Sequence, residues 1–155
     1  LKIWIDADAC PKIIKEIVFK ASLRLNIPVT LVANSNMWTP LSPLIDLIKV
    51  KSGADVADQY IVEHVTHTDL VITGDIPLAA LVVEKNALAI NIRGELYTEE
   101  NVRERLSMRD FMKELRDSGI DNGGPDVFGP KDKERFANSF NSILTKMLKS
   151  QKTEN

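Results

Sequence analysis

Asp6 and Asp8 stand one residue apart in "IWIDADACPK", where an apolar run gives way to a proline. Asp is a poor strand residue, and neighbouring carboxylates repel. Further oxygen-bearing side chains close other apolar runs: Asn34 ends "IPVTLVAN" and Asp75 ends "VITGD". Asp55 and Asp58, three apart in "ADVADQYIVEHV", share one face of an expected helix. Clustered carboxylates supply the oxygen ligands that hard cations such as Mg²⁺ or Mn²⁺ take. Such ions polarise phosphoryl oxygens and activate water. Without a cation, three or four neighbouring carboxyl groups do not all stay ionised. The plainer role for any one of these residues is a helix cap. Asp75, just ahead of Pro77, fits that role, and Asp55, after "KSG", fits it best. The recurrence of acids at several element ends is what points to a metal-binding cluster.

Other residues invite weaker chemistry. Arg93, Arg103, Arg105 and Arg109 follow the last strand-like run, and an arginine can clamp a phosphate with paired hydrogen bonds. Glu95, Glu99, Glu100 and Glu104 lie among them, so surface ion pairs are the expectation for Arg103 and Arg105. Arg93, beside Gly94 at a strand end, is the better phosphate contact. Cys10 precedes a helix, yet "CPKIIKE" lacks the arginine of an anion-cradling thiol site, so the thiol reads as structural. His64 and His67 alone are a weak zinc signal. Lys12 and Lys15 stand near the acids. Trp38 could stack a base, pin its loop to the sheet or sit in a subunit contact.

The elements that must position these residues follow from hydrophobic patterning. Short apolar runs alternate with amphipathic segments, which predicts an α/β fold on a mainly parallel sheet of about five strands. Strands are expected at Lys2–Asp6, "IPVTLVAN", "IDLIKV", "DLVITG" and "ALAINI". Helices are expected from Pro11 as first helical residue, over "ADVADQYIVEHV" and over "IPLAALVVEK". In such a sheet the carboxyl ends of the strands carry the site, so Asp6, Asp8 and Asp75 should share a cleft. The helix bearing Asp55 and Asp58 should lean over it. Beyond Arg93 the pattern becomes helical. "TEENVRERL" and "SMRDFMKELRDSG" predict two helices, capped by Thr98 and Ser107, with a stop at Gly119. A turn-rich loop, "IDNGGPDVFGP", leads to a last helix from about Lys131, striped by Phe136, Phe140, Ile143, Leu144, Met147 and Leu148. These helices could cap the sheet or form a dimer contact.

The 155 residues suit one domain over 1–150, with a core over 1–94, a helical extension over 95–150 and a disordered polar tail over 151–155. A net charge of −2 gives no overall basic footprint for nucleic acid. One cysteine excludes an internal disulfide. No apolar run approaches spanning length, and no signal peptide precedes the first strand, so a cytoplasmic protein with no membrane partner is expected.

Together "IWIDADACPKIIKEI", "TLVAN", "GADVADQYIVEHV", "DLVITGDIPLAA" and "NIRGELYTEENVRERLSMRDFMKELRDSG" resemble the YaiI/YqxD family of uncharacterised bacterial proteins, and the resemblance continues through "GGP" to "FANSF". That family is grouped by similarity with PIN-like domains, a class of metal-dependent nucleases. The resemblance implies a three-layer α/β/α domain with extra C-terminal helices, and a cluster of acids holding Mg²⁺ or Mn²⁺. Asp6 then matches the acid after the first strand. Asp58 matches the helical acid, with Asp55 as rival. Thr73-Gly74-Asp75 matches the later T-x-D segment, with Thr73 as an orienting hydroxyl. Asp8 is extra to that pattern, as a further ligand. Arg93, Asn34 and Thr73 are the expected substrate contacts, and single-stranded RNA is the implied substrate. The Arg-rich C-terminal helices are not part of the minimal PIN core.

Two alternatives stand beside the nuclease. "DADAC" offers the D-x-D of a haloacid-dehalogenase-like phosphatase, with Asp6 as nucleophile and Asp8 as general acid. The second acid such an enzyme wants four residues after Asp75 is absent, because Ala79 stands there. The other alternative is a non-catalytic domain that binds RNA or a protein partner.

Overall fold

The computed structural model describes residues 1–53, 55–117 and 128–153. Five parallel strands form one sheet: β1 (Ile3–Asp6), β2 (Val29–Ala33), β3 (Ile45–Lys49), β4 (Leu70–Ile72) and β5 (Leu88–Ile90). Their order is β3-β2-β1-β4-β5. The helices are α1 (Lys12–Leu25), α2 (Val56–His64), α3 (Ile76–Glu84), α4 (Glu99–Asp117) and α5 (Pro130–Thr153).

The sheet is buried on both faces, as a parallel sheet must be when crossover helices cover it. Every residue of β2 and β4 is buried, which is why these runs carry no polar alternation. The core on one face joins Ile3, Ile5, Leu31 and Ile72 to Ile14 and Val18 of α1 and to Phe136, Phe140 and Leu144 of α5. The core on the other joins Trp4, Val32 and Val71 to Ile61 of α2, Leu78 and Val82 of α3, and Val102 of α4. From β1 the chain steps one way to β2 and the other way, later, from β4 to β5. Right-handed crossovers then require α1 and α3 on opposite faces, as observed. The α5 stripe makes that helix a sheet-covering element. Phe136 and Phe140 stack at 5.2 Å and are fully buried. Burial of this kind contributes about 1.5–3 kcal/mol per side chain.

Three boundaries differ from the sequence expectation. Pro11 is the N-cap of α1, in extended conformation, with Lys12 the first helical residue. Residues 99–117 form one helix where two were expected, and Ser107 lies inside it. Its start is as expected. The Thr98 hydroxyl accepts from the Asn101 N–H at 3.1 Å, and Asn101 Oδ1 accepts from the Thr98 N–H at 2.8 Å. The C-terminal helix runs to Thr153, into the segment read as a tail. Gly119, the loop over 120–127 and residues 154–155 lie outside the described residues. No described helix is long and apolar enough to cross a membrane.

Candidate active site

The chain reverses its direction across the sheet at β1. The crevice beyond the carboxyl ends of β1 and β4 is therefore the topological switch point, where open α/β sheets bind ligands. A cavity of about 260 Å³ sits there, lined by Asp6, Cys10, Thr73 and Asp75, with Ile72 and Ile92 beneath.

Strand register builds the first contact. Ile5 is paired with Ile72, so the next residues along, Asp6 and Thr73, come together. The Thr73 hydroxyl, 1% exposed, donates to Asp6 Oδ2 at 2.9 Å and accepts from the Asp75 N–H at 2.9 Å. Asp75 caps α3 through its Oδ1, which accepts from the Leu78 N–H at 2.8 Å. Capping and site membership are thus compatible, since one oxygen serves the helix and the carboxylate still borders the cavity. Burial raises the Asp6 carboxyl pKa above its usual range. The Thr73 hydrogen bond opposes this, and the charges of Asp75 and Asp8 add to it.

Asp58, in the first turn of α2, completes the group. Its carboxyl is pushed up to about 6, first by burial, then by the charges of Asp75, Asp6 and Asp55 and by a hydrogen bond with Asp75. Burial is the first cause of the raised Asp6 and Asp58 carboxyls, and the negative charge of Asp75 adds to both. Asp55 holds the N-cap position of α2 in left-handed backbone (φ 68°), but its side chain makes no capping hydrogen bond. Its reading as a pure cap is thereby corrected.

Asp8 acts on Asp6 through its charge, and its own hydrogen bonds go to the loop after β2. Its Oδ2 accepts from the Asn34 N–H at 2.7 Å and its Oδ1 from the Ser35 hydroxyl at 3.4 Å. It clips the loop after β2 to the turn after β1. Asn34 Oδ1 is the one buried side-chain polar atom among the described residues without a hydrogen-bond partner. Arg93 pairs with Asp132 at 3.3 Å near the start of α5. Arg103 pairs with Glu99 on the exposed face of α4, and Arg105 pairs with Glu95 while lying over the Tyr97 ring. His64 stacks on Tyr60 and contacts its carbonyl, a helix-end arrangement. Cys10 is buried, and burial drives its thiol up to about 12, against the opposing charge of Lys15. Burial thus disfavours the thiolate, the form in which a cysteine attacks.

Two supporting residues carry no signal in the sequence pattern. Tyr97 is buried, and its hydroxyl donates to the Thr73 carbonyl at 3.3 Å, steadying the T-G-D turn from below. Asp69, buried at the opposite end of β4, accepts from the Lys2 N–H, the Trp4 indole and the Thr66 N–H at 3.0–3.1 Å. That carboxylate is structural.

Asp6, Thr73 and Asp75 bring oxygen atoms to the cavity, the kind of ligand hard divalent cations take, and the Cys10 thiol lines it as well. Among the described residues no three His, Cys, Asp or Glu side chains close into a finished metal-binding group.

Residues 4–146 match the family described as "Uncharacterized BCR, YaiI/YqxD family". A UPF0178 protein of Shewanella sp. (strain MR-7) is 58% identical over 146 residues, covering 94% of this chain and 96% of that protein. A UPF0178 protein of Geobacter metallireducens is 56% identical over 152 residues, covering 98% of each. One from Trichlorobacter lovleyi is 56% identical over 154 residues, covering 99% of this chain and 100% of that protein. No solved structure matches the chain.

Proposed function

The chain belongs to the YaiI/YqxD family of uncharacterised bacterial proteins, and from that premise and the carboxylate cleft we propose that it is a divalent-metal-dependent nuclease acting on RNA, with a PIN-like site. The observation that carries the reading is the convergence at the switch point of Asp6 and Asp75, linked through the Thr73 hydroxyl beside one cavity, with Asp58 close enough for the charges of Asp75 and Asp6 to add to the effect of its burial. Hydrolysis of a phosphodiester asks a protein mainly for positioning and charge stabilisation, and three acids from three separate elements suit that task.

In this reading Asp6, Asp58 and Asp75 hold Mg²⁺ or Mn²⁺. When bound, the ion supplies a Lewis acid for the phosphoryl group and lowers the pKa of the attacking water. Thr73 fixes the orientation of Asp6 through its hydroxyl. With its carboxyl raised to about 6, Asp58 would be ionised at neutral pH, as a ligand carboxylate must be. Asp8 and Asn34 hold the rim loop, with Asp8 open to a further cation role. Arg93 meets the substrate beyond β5, sharing its charge with Asp132.

The phosphatase alternative has less support. Its general acid would be Asp8, whose two oxygens are engaged by Asn34 and Ser35. Ala79, where a second acid would stand, is buried in α3.

The test is cleavage of single-stranded RNA in Mn²⁺ or Mg²⁺ and in EDTA. Asp6→Asn and Asp75→Asn proteins, purified identically, control for contaminating ribonuclease. The reading requires slow cleavage by wild type, none in EDTA and none by either variant. Cleavage that survives in both variants, or wild type that never cleaves RNA with any divalent ion, rejects it.

A further inference from the structure

We propose that the face of α1 carrying Lys12, Lys15 and Phe19, continued by the exposed Trp38 ring, is the track that guides single-stranded RNA into the carboxylate cleft. A base stacks on Trp38 and the two lysines meet phosphates. The destination of the track rests on the nuclease reading. The track itself rests on other residues.

The α1 helix starts at the cleft wall, since Cys10 lines the cavity and Pro11 caps the helix. Lys12, Lys15 and Phe19 follow at i, i+3 and i+7 and so share one face. Lys15 lies in the first turn of α1, and its charge acts on the Cys10 thiol of that wall. Phe19 is rooted in the core, and the Trp38 ring meets it edge-on at 6.3 Å. From Pro11 to Phe19 the helix rises about 12 Å. Phe19 itself is buried, so the accessible part of this face is Lys12 and Lys15 near the cleft, with Glu16 beside Lys12, and the Trp38 ring seated against the Phe19 edge at its far end.

Three features fit this strip to a single strand of nucleic acid. First, Trp38 is 72% exposed, whereas the other tryptophan, Trp4, is buried. Beyond its edge contact with Phe19 the indole gains little for folding, and a flat aromatic beside basic residues is the platform on which single-stranded bases stack. Second, Lys12 and Lys15 make no ion pair among the described residues. The one acid of α1, Glu16, stands four residues from Lys12 and from Lys20 and bridges to neither. Two uncommitted cations beside an acidic cleft offset its repulsion of a polyanion. Third, the loop that carries Trp38 is clipped to the cleft by the Asp8 contacts with Asn34 and Ser35. The platform is thus held in register with the site. Leu41 of the same loop is also exposed, which makes a second copy of the chain the competing occupant.

The experiment is titration of the full chain with a fluorescein-labelled adenosine ten-mer RNA in Ca²⁺, read by anisotropy at several salt concentrations, with the probe verified intact. Trp38→Ala should weaken binding roughly tenfold and Trp38→Phe should restore most of it, because any base stacks on any aromatic face. The Lys12→Ala/Lys15→Ala protein should flatten the slope of log K against log salt by about 1.4, at about 0.7 for each phosphate no longer neutralised. Unchanged affinity in Trp38→Ala, or an unchanged slope in the double variant, overturns the proposal. So does a Trp38-dependent dimer in sedimentation velocity with RNA binding indifferent to Trp38, which assigns the face to a second copy. The two readings fail separately. If all these variants bind and cleave like wild type, the nuclease survives and the track does not. If they lose binding while wild type never cleaves, the track survives and the nuclease does not.

Discussion

Asp58→Asn should stabilise the metal-free protein at neutral pH and reverse that advantage when metal is added. The Asp58 carboxyl moves from 3.8 to about 6 on folding, chiefly by burial and by the charges of Asp75 and Asp6. A group with a raised folded pKa gives its full stability below the unfolded value and loses it as pH rises through the folded one. Wild type should therefore weaken between about pH 4 and pH 6 through this group and stay weakened above. The gap between 3.8 and about 6, at 1.36 kcal/mol per pKa unit, corresponds to about 3 kcal/mol at full strength. Asp58 is only partly buried, so solvent screening reduces this to about 1 kcal/mol. Asparagine keeps the shape and a hydrogen bond to Asp75 without the charge. In EDTA at pH 7.5 the variant should melt roughly 2–4 °C above wild type, and at pH 4 the two should coincide. A metal site with a dissociation constant of about 1 mM would stabilise wild type by about 1.4 kcal/mol in 10 mM Mg²⁺, and the variant by much less. Thermal melts followed by circular dichroism, at both pH values with and without Mg²⁺, give the comparison. A variant that melts lower than wild type in EDTA at pH 7.5, or whose advantage is the same at pH 4, refutes the like-charge strain.

Thr73→Val removes the hydroxyl that holds Asp6 and receives the Asp75 N–H, and RNA cleavage should fall roughly 10–100-fold. Undiminished cleavage would leave the hydroxyl without a positioning role. The Cys10 thiol, raised to about 12, should resist iodoacetamide at pH 8 in the folded protein and react readily in denaturant. Fast labelling of native protein at pH 7 would contradict its burial. At Gly94, with φ +84°, an added Cβ would lie 2.6 Å from the Arg135 carbonyl oxygen. Gly94→Ala should cost roughly 2–4 kcal/mol in a urea melt, and a neutral outcome would mean α5 is not locked onto this turn.

The parallel sheet was legible because its strands are buried on both faces and so read as short apolar runs between amphipathic helices. The ends of β1 and β4 were legible for the same reason and mark Asp6 and Asp75, whereas Thr73 enters only through the resemblance to a T-x-D segment. Periodicity places Asp55 and Asp58 together. Only the entry into α2, with Asp55 in left-handed backbone, decides that Asp58 is the residue strained against Asp75 and Asp6. Sequence spacing does not say where the turn after β1 sends the Asp8 side chain. Here the carboxylate turns to satisfy the Asn34 N–H. Ser107 imitated a helix start, yet Val102 and Leu106, packed against α3, hold the helix through that position. Tyr97 and Asp69 were invisible because each acts across the fold, through a partner distant in sequence.

A crystal of the protein soaked in Mn²⁺ and measured at the manganese edge tests the central claim most directly. The account predicts an anomalous peak at the carboxyl ends of β1 and β4, coordinated by carboxylate oxygens from among Asp6, Asp58 and Asp75, and absent from Asp6→Asn crystals. No peak at that cleft, or a peak only at surface acids elsewhere, would contradict it.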